Sequence, residues 1–168
     1  SNYKIIVDKS VAMRPYTVGA VVKNLKFNDE TIRELMQVQE KLAMTHGRNR
    51  KKSEYGFYHL DKINFPVTYI AKDPKEITFK PLGFDEVMSA LKIEEVHPKG
   101  KAYKWLADDW KKKGFTKYPF FIDGKNNVMA MLPYTNSNEA GKIDTTTTEV
   151  FIEATGSDLS NISIALNI

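Results

Sequence analysis

The sequence predicts an α+β fold with a mostly antiparallel sheet and inserted helices. Segments rich in β-branched and aromatic residues come in pairs, and segments with helical periodicity lie between those pairs. A regular alternation of single strands and helices, which would indicate a parallel sheet, is not the pattern of this chain. With 168 residues the chain is long enough for one core, so we predict a single domain over residues 1–168.

Seven segments are predicted to form strands because they are rich in strand-forming residues and are bounded by turn signals. Two of those turns are Arg14-Pro15 and Asp73-Pro74, and the third and fourth segments are predicted to pair around the second of them. A Gly and Asn turn divides residues 118–133 into the two strands of a hairpin. The seven segments are YKIIVD, YTVGAVVKNL, FPVTYIA, EITFKPL, YPFFIDGKNNVMAMLP, EVFIEATGSD and ISIALNI.

Helices are predicted where apolar residues recur at helical spacing. The first begins at Asn28 or Asp29, either of which can cap it, and ends at Gly47. Another, HPKGKAYKWLADDWKKKG, has apolar residues at i, i+3, i+4 and i+7 and ends in three lysines, where the helix dipole favours cations. The remaining predictions are a short helix at FDEVMSALK, a loop or sheet edge at GRNRKKSEYGFYHLD and a polar loop at YTNSNEAGKIDTTTTE.

The composition excludes several classes of protein. Apolar residues make up 42% of the chain and charged residues 27%, and no apolar run approaches the roughly 18 residues that a membrane span requires. The absence of cysteine excludes disulfides and thiolate zinc sites. No secretory signal is recognisable, so we expect a cytoplasmic protein. A net charge of +4 is too small to imply nucleic-acid binding by itself.

Familiar enzyme signatures are missing from the sequence. The histidines, His46, His59 and His97, stand far apart and have no carboxylate at metal-ligand spacing, so no metal site is predicted. No serine lies in a nucleophile-elbow context, and no glycine-rich phosphate loop is present. Nucleophilic hydrolases and nucleotide-binding folds are therefore poorly supported.

A cluster of cations follows the first predicted helix and precedes three aromatic residues. This mixture suits phosphate contacts combined with base stacking. Cations beside the C-terminus of a helix are also common as solvated side chains, and the sequence leaves both interpretations open. The cations are Arg48, Arg50, Lys51 and Lys52, and the rings are Tyr55, Phe57 and Tyr58.

Glu153 stands in the middle of the predicted strand EVFIEATGSD, on the same face as Phe151 and Thr155. Its carboxylate either points to solvent across an open sheet or lines a pocket, where burial and a partner decide its protonation. An aromatic-walled pocket with this acid at one end would hold an aromatic amphiphile. An ionised Glu153 accepts a hydrogen bond from a phenol but gains nothing from a plain phenyl ring.

Seven motifs follow one another from about Met13 to Ile168. They are RPYTVGAVVKNLKF, QEKLAMTHGRNRKKSEYGFYHLDKI, FKPL, HPKGKAY, YPFFID, NVMAMLP and FIEATGSD. In order and spacing they resemble the central B3/B4 region of the beta subunit of phenylalanyl-tRNA synthetase of the archaeal and eukaryotic type. The resemblance covers nearly the whole chain, and seven motifs in one order exceed what chance produces.

The resemblance implies a B3/B4-like editing domain, a fragment of a larger beta subunit. In the family this region hydrolyses tyrosine wrongly esterified to phenylalanine tRNA. Synthesis, with ATP and Mg²⁺, takes place mainly in the alpha subunit, within a heterotetramer of two alpha and two beta chains. The domain itself is expected to need no cofactor, and its expected partners are the acceptor end of tRNA(Phe) and the alpha subunit.

The resemblance also implies roles for individual residues. Glu153 would read the tyrosine hydroxyl, because a site that hydrogen-bonds a hydroxyl can reject the analogue lacking it by about 10⁴-fold or more. A water near Thr155 and Asn136 would attack the ester, and Lys142 would steady the oxyanion or a phosphate. The predicted catalytic residues are Glu153, Thr155, Asn136 and Lys142, the pocket residues Phe121, Ala130, Pro133, Phe151 and His59, and the tRNA-binding residues Arg48, Arg50, Lys51 and Lys52.

The chain departs from the family pattern in or beside this pocket. The family usually has Gly-x-His-Asp-Leu-Asp at the position of Gly56–Asp61, so Tyr58 and His59 replace a His and an Asp. A double proline followed by Ile-Ile-Asn becomes 132–136, LPYTN, and a serine often found at Ala130 is absent. Such changes would alter specificity or abolish editing.

Three functions therefore remain open at this point. The first is an editing hydrolase, the second an editing-inactive tRNA-positioning and structural module of the same subunit, and the third an unrelated α+β ligand-binding domain. An aromatic-walled cavity facing Glu153 and Thr155 would favour the first. Occupation of that cavity by Tyr58 or Tyr134 would favour the second.

Overall fold

A computed structural model describes residues 2–166 of the chain. The fold is α+β, as predicted, and the chain divides into two compact units. The first comprises the residues up to Met13 together with Ile63–Gly141, and the second comprises Arg14–Lys62 together with the residues from Lys142 onward. The single domain over residues 1–168 stays a prediction. Among the described residues, no helix is both long and apolar enough to traverse a lipid bilayer.

The first unit is built on a five-stranded mixed sheet with the order β1-β4-β7-β8-β9, in which only the β1–β4 pair is parallel. Strands β5 and β6 form a separate antiparallel pair. Apolar side chains of α2, α3 and the large sheet form the core of this unit. Its elements are β1 (Ile5–Val7), β4 (Val67–Lys72), β5 (Thr78–Phe79), β6 (Met88–Ser89), α2 (Ala90–Val96), α3 (Pro98–Lys112), β7 (Tyr118–Ile122), β8 (Val128–Met131), β9 (Thr135–Asn136) and α4 (Asn138–Gly141).

The second unit is a three-stranded antiparallel sheet with the order β2-β10-β3. Its small core joins Ala43 of α1 and Ile162 of α5 to Tyr55 and Ala154 of the sheet. The elements are β2 (Tyr16–Val22), α1 (Asp29–Met44), β3 (Ser53–His59), β10 (Val150–Gly156) and α5 (Leu159–Leu166), and short 3-10 helices at Lys9–Val11 in the first unit and Leu60–Lys62 in the second complete the structure.

Segments with strong periodicity and clear end signals are confirmed. Asn28 caps α1 through a capping box with Thr31, whose backbone N–H donates to Asn28 Oδ1 at 2.8 Å. Helix α3 and the β7–β8 hairpin lie where they were predicted, and so do β1, β2 and β10.

Three predictions of local structure are wrong in whole or in part. FPVTYIA and EITFKPL do not pair, because β4 lies between β1 and β7 while β5 pairs with β6. The predicted short helix begins only at Ala90, where the Ser89 side chain caps it, and β6 precedes it. The predicted polar loop contains β9 and α4. The segment predicted as a loop or sheet edge is confirmed, because its first residues form a loop and most of the rest form the edge strand β3, which pairs with β10.

The final predicted strand, ISIALNI, is wrong. Residues up to Leu166 form helix α5, in which Ile162 is fully buried and Ile164 is exposed, as the two faces of a helix require. A short apolar run fits either period. Asp158 decides in favour of the helix, because its carboxylate accepts a hydrogen bond from the backbone N–H of Asn161 at 3.2 Å. The last two residues of this predicted strand lie outside the described residues.

Candidate functional site: a buried carboxylate and phenol

Glu153 lies in the central strand of the second unit, between two glycines. In the sheet register Gly19 of β2 and Gly56 of β3 stand directly opposite it. Only 3% of Glu153 is exposed, so the carboxylate does not point to solvent across an open sheet. Of the two alternatives that the sequence left open, the solvent-facing carboxylate is therefore excluded, and the pocket stays a prediction.

The carboxyl group of Glu153 has a partner within its own unit. The hydroxyl of Tyr58, a side chain with no exposed surface, donates a hydrogen bond to Glu153 Oε1 at 3.0 Å. Tyr58 is the cross-strand neighbour of Phe151, and their ring centroids lie 5.9 Å apart. Phe151, Glu153 and Tyr58 therefore form one continuous patch on one face of the sheet.

Gly56 makes this contact sterically possible. A Cβ atom at Gly56 would lie 2.3 Å from Glu153 Oε1 and 2.6 Å from the Tyr58 hydroxyl. The missing side chain leaves the space in which the two polar groups meet.

Several polar atoms near this hydrogen bond are buried without a partner. Thr155 faces Thr17 on one side and Glu54 on the other in the register. Within the described part of the chain, neither threonine hydroxyl has a hydrogen-bond partner, and neither does Glu153 Oε2. Buried polar groups are nearly always satisfied, so this row is a candidate site for a polar ligand or water.

Burial sets the protonation of the pair. Desolvation raises the pKa of Glu153 to about 8, the Tyr58 hydrogen bond opposes that rise, and the charge of Glu54 adds to it. Desolvation also raises the pKa of Tyr58 well above its usual value, and the neighbouring Glu153 adds to that rise. At neutral pH the pair is therefore mostly a neutral acid that accepts from a neutral phenol.

A buried ion pair lies beside the carboxyl group and was not predicted from the sequence. Arg14, only 1% exposed, has its Nη2 atom 3.6 Å from Glu54 Oε1. Only a turn was predicted at Arg14, and Glu54 lay in a segment predicted as a loop or sheet edge without a strand register. Had β3 been recognised, the period of two would have placed Glu54 and Tyr58 on one face.

Three predicted site residues of the first unit lie in one row. Phe121 of β7 stands opposite Ala130 of β8, which stands opposite Asn136 of β9. Phe121 also stacks on Tyr69, with ring centroids 4.6 Å apart. Pro133 is buried shortly after β8 in the same unit.

Tyr134 belongs to a different polar cluster of the first unit. Its hydroxyl donates to Glu94 Oε2 at 2.5 Å, and Tyr118 donates to the same oxygen. Both tyrosines have raised pKa values, first because they are desolvated and then because they donate to Glu94. The hydroxyl of Tyr134 is therefore hydrogen-bonded to Glu94.

The other predicted residues of the second unit lie away from the Glu153 carboxyl. His59 stands opposite Val150, on the alternate face of the strand pair. Lys142 is exposed and, like His59, contributes weakly to lowering the pKa of Asp144, whose main cause is hydrogen bonding by Thr146. Among residues 2–166, no three His, Asp or Glu side chains converge as they would around a metal ion.

Replacing Gly56 with alanine is expected to destabilise the second unit by about 1 to 3 kcal/mol, because the new methyl group overpacks the contact between Tyr58 and Glu153. Urea unfolding followed by amide hydrogen exchange in β10 measures this cost. The matched background is Glu153→Ala, which removes the nearest clashing atom, so Gly56→Ala should cost less there. An equal cost in both backgrounds would contradict the steric explanation.

The chain has relatives of known name over its whole length, although no protein-family model matches it. It is 40% identical over 169 residues to the phenylalanine-tRNA ligase beta subunit of Thermococcus sibiricus, covering 100% of this chain and 29% of that protein. It is 42% identical to the beta subunit of Archaeoglobus fulgidus, covering 99% and 29%. It is 39% identical to that of Borrelia garinii, covering 98% and 28%. The chain thus spans less than a third of the length of these relatives.

The fold has a solved counterpart. The crystal structure of an N-terminal fragment of the phenylalanyl-tRNA synthetase beta subunit from Pyrococcus horikoshii superposes with a TM-score of 0.91 at 38% identity. The match covers 99% of this chain and 47% of that fragment. In sequence and in fold, the whole chain is therefore similar to one segment of the phenylalanyl-tRNA synthetase beta subunit.

Proposed function

We propose that this chain is a segment of the beta subunit of a phenylalanyl-tRNA synthetase, in its B3/B4 region. About 40% identity over the whole chain supports this assignment. The parent enzyme would attach phenylalanine to tRNA(Phe) with ATP and Mg²⁺, in the cytoplasm, as an assembly of two alpha and two beta chains. This segment would carry neither the synthetic site nor a cofactor.

Within that enzyme, we propose that the segment is a tRNA-positioning and structural module whose Glu153 no longer selects tyrosine. The observation that carries this proposal is the 3.0 Å hydrogen bond from Tyr58 to Glu153 Oε1, between two buried side chains. In the family interpretation, that acid accepts the phenol of a mischarged tyrosine. Here a phenol of the chain itself already occupies the acceptor, at the position where the family usually has histidine.

Editing of mischarged tyrosyl-tRNA(Phe) is the second candidate function. It is favoured by Glu153 Oε2 and Thr155 Oγ1, which are buried and have no hydrogen-bond partner in the described part of the chain. In that case Tyr58 would hold one carboxyl oxygen, and the other oxygen would meet the hydroxyl of the substrate.

Deacylation of tyrosyl-tRNA(Phe) by the assembled synthetase separates the two candidates. We expect the wild-type and Glu153→Gln enzymes to hydrolyse the ester at equal rates, within about twofold of the enzyme-free rate. We expect Tyr58→His to exceed the wild-type rate, because it frees the carboxyl group and returns the residue usual in the family. Phenylalanyl-tRNA(Phe) is the matched control substrate and should stay at the enzyme-free rate in every variant.

The opposite result would establish editing. Fast wild-type deacylation that falls tenfold or more in Glu153→Gln would show that Glu153 selects the hydroxyl despite Tyr58. A failure of the assembled enzyme to charge tRNA(Phe) with phenylalanine would instead overturn the parent assignment.

A further inference from the structure

The segment that follows α1, residues 48–52, has an unusual backbone and is called the basic loop here. Arg48, Asn49 and Arg50 have φ values of 47°, 55° and 65°. A left-handed conformation is unfavourable for L-residues, although less so for asparagine, and three in succession persist only where the surroundings fix them.

Backbone hydrogen bonds fix the basic loop onto the end of α1. The N–H of Asn49 donates to the carbonyl of Met44 at 3.0 Å, and the N–H of Arg50 donates to that of Ala43 at 2.9 Å. The N–H of Lys52 donates to the carbonyl of Gly47 at 2.8 Å. The loop thereby satisfies carbonyls that the helix end leaves open.

Two further hydrogen bonds hold the basic loop in place. The buried guanidinium of Arg14 donates through Nη2 to the carbonyl of Arg50 and also pairs with Glu54. The N–H of Ser157 donates to the carbonyl of Lys52 at 3.2 Å. Gly156 is required there, because a Cβ at this position would lie 2.5 Å from that carbonyl oxygen.

The charges of the basic loop divide into paired and unpaired cations. Arg50 Nη2 lies 3.1 Å from Glu40 Oε2, so Arg50 is compensated. Arg48 and Lys51 are exposed, and no ion pair to either is found between residues 2 and 166. The exposed face of the basic loop therefore carries two uncompensated cations on a fixed backbone.

The aromatic residues after the basic loop do not contribute base stacking. Tyr55, Phe57 and Tyr58 are 7%, 8% and 0% exposed, because they lie in β3. The stacking half of the sequence interpretation is therefore wrong. Phosphate contacts, which exposed cations can make without aromatic neighbours, carry no sequence information directly.

We propose that the basic loop is a preorganised contact for RNA phosphates, in which Arg48 and Lys51 touch the RNA while Arg14 and Arg50 only position the loop. The choice of RNA rests on the proposed function, in which tRNA is the partner. Of the four cations predicted to bind tRNA, this proposal assigns direct contact to Arg48 and Lys51, a supporting role to Arg50 and no role to Lys52. Rigidity favours binding because the ordering cost is already met by the fold.

Salt-dependent RNA binding by the full 168-residue chain tests the proposal, with a tRNA(Phe) transcript and a 12-nucleotide oligouridylate as probes. The variant Arg48→Gln/Lys51→Gln should bind both probes at least about tenfold more weakly near 0.1 M salt. The slope of log K against log salt should fall by about 1.4 to 1.8, as expected when two phosphate contacts are lost.

Two control variants accompany this measurement. Lys92→Gln/Glu95→Gln removes a compensated surface pair outside the basic loop, and Lys26→Gln/Lys101→Gln removes two exposed lysines elsewhere. Both should keep the affinity within about twofold and keep the salt slope. An equal loss in the lysine control, or an unchanged slope in Arg48→Gln/Lys51→Gln, would overturn the proposal in favour of diffuse attraction by net charge.

The rigidity of the basic loop is tested without changing charge. Asn49→Val disfavours a positive φ because valine is β-branched, so it should weaken RNA binding by about threefold or more while the protein stays folded under the binding conditions. Unchanged affinity would remove preorganisation from the proposal. Loop-dependent RNA binding without charging of tRNA(Phe) by the assembled enzyme would instead remove the synthetase assignment and leave the phosphate site standing.

Discussion

Replacing Arg14 with methionine is expected to destabilise the second unit by about 3 to 5 kcal/mol, because it leaves Glu54 buried without its cation. The same change removes the donor to the carbonyl of Arg50. Water cannot replace either contact, because only 2% of the Arg14 side chain and 11% of the Glu54 side chain are exposed. The effect should therefore far exceed the cost of breaking a surface ion pair.

Amide hydrogen exchange in β10 during urea unfolding measures this change, because both tryptophans, Trp105 and Trp110, lie in the first unit and do not report on the second. The matched control is the double variant Arg14→Met/Glu54→Leu, which removes both charges and should recover most of the lost stability. A loss below about 1 kcal/mol in Arg14→Met would show that Glu54 finds another partner or a proton. Equal losses in the single and double variants would show that packing, not charge, dominates.

The helices with the strongest local sequence signals form where they were predicted. Helix α1 begins with a capping box at Asn28, and α3 carries an apolar stripe and a lysine-rich end, so tertiary contacts only reinforce what the local chain prefers. The strand prediction for the α5 segment is wrong because its seven residues, rich in isoleucine and leucine, fit both the strand period and the helix period. The predicted partner of β4 is wrong for another reason, because its actual neighbours β1 and β7 are distant in sequence.

At the candidate site, too, local features were predicted from the sequence and contacts between distant segments were not. The alternation of β10 correctly places Phe151, Glu153 and Thr155 on one face. Tyr58 was named only as one of two residues that could fill the cavity, because a cross-strand contact depends on register and the register of its segment was not predicted. Basic residues immediately before β3 obscured its pattern. The glycine between Glu54 and Tyr58 was the available signal, since glycine inside a strand often marks a close approach of other groups.

Replacing Glu153 with glutamine is expected to change how stability depends on pH. The folded-state pKa of Glu153, about 8, lies above its ordinary value of 4.5, so the folded protein holds this proton more tightly than the unfolded chain does. Its stabilising contribution is complete below about pH 4.5, declines as the pH rises and is gone above about pH 8. Over that window the free energy of unfolding should fall by about 1.4 kcal/mol per pH unit.

Glutamine keeps the carbonyl oxygen that accepts from Tyr58 and cannot ionise. The stability difference between Glu153→Gln and the wild type should therefore shift in favour of the variant by about 4 kcal/mol between pH 5 and pH 8. The aspartates with lowered pKa values, Asp8, Asp123 and Asp144, act in the opposite direction and only below about pH 4, so they do not disturb this range.

Urea unfolding at pH 5, 6, 7 and 8, followed by exchange of the β10 amides, provides the measurement. Glu76→Gln, at an exposed position of the first unit, is the matched control and should parallel the wild type at every pH. Parallel curves for Glu153→Gln and the wild type would mean that Glu153 is already ionised in the folded protein at pH 5. An ionised carboxylate would bind Tyr58 more strongly, and the neutral acid and phenol pair would have to be abandoned.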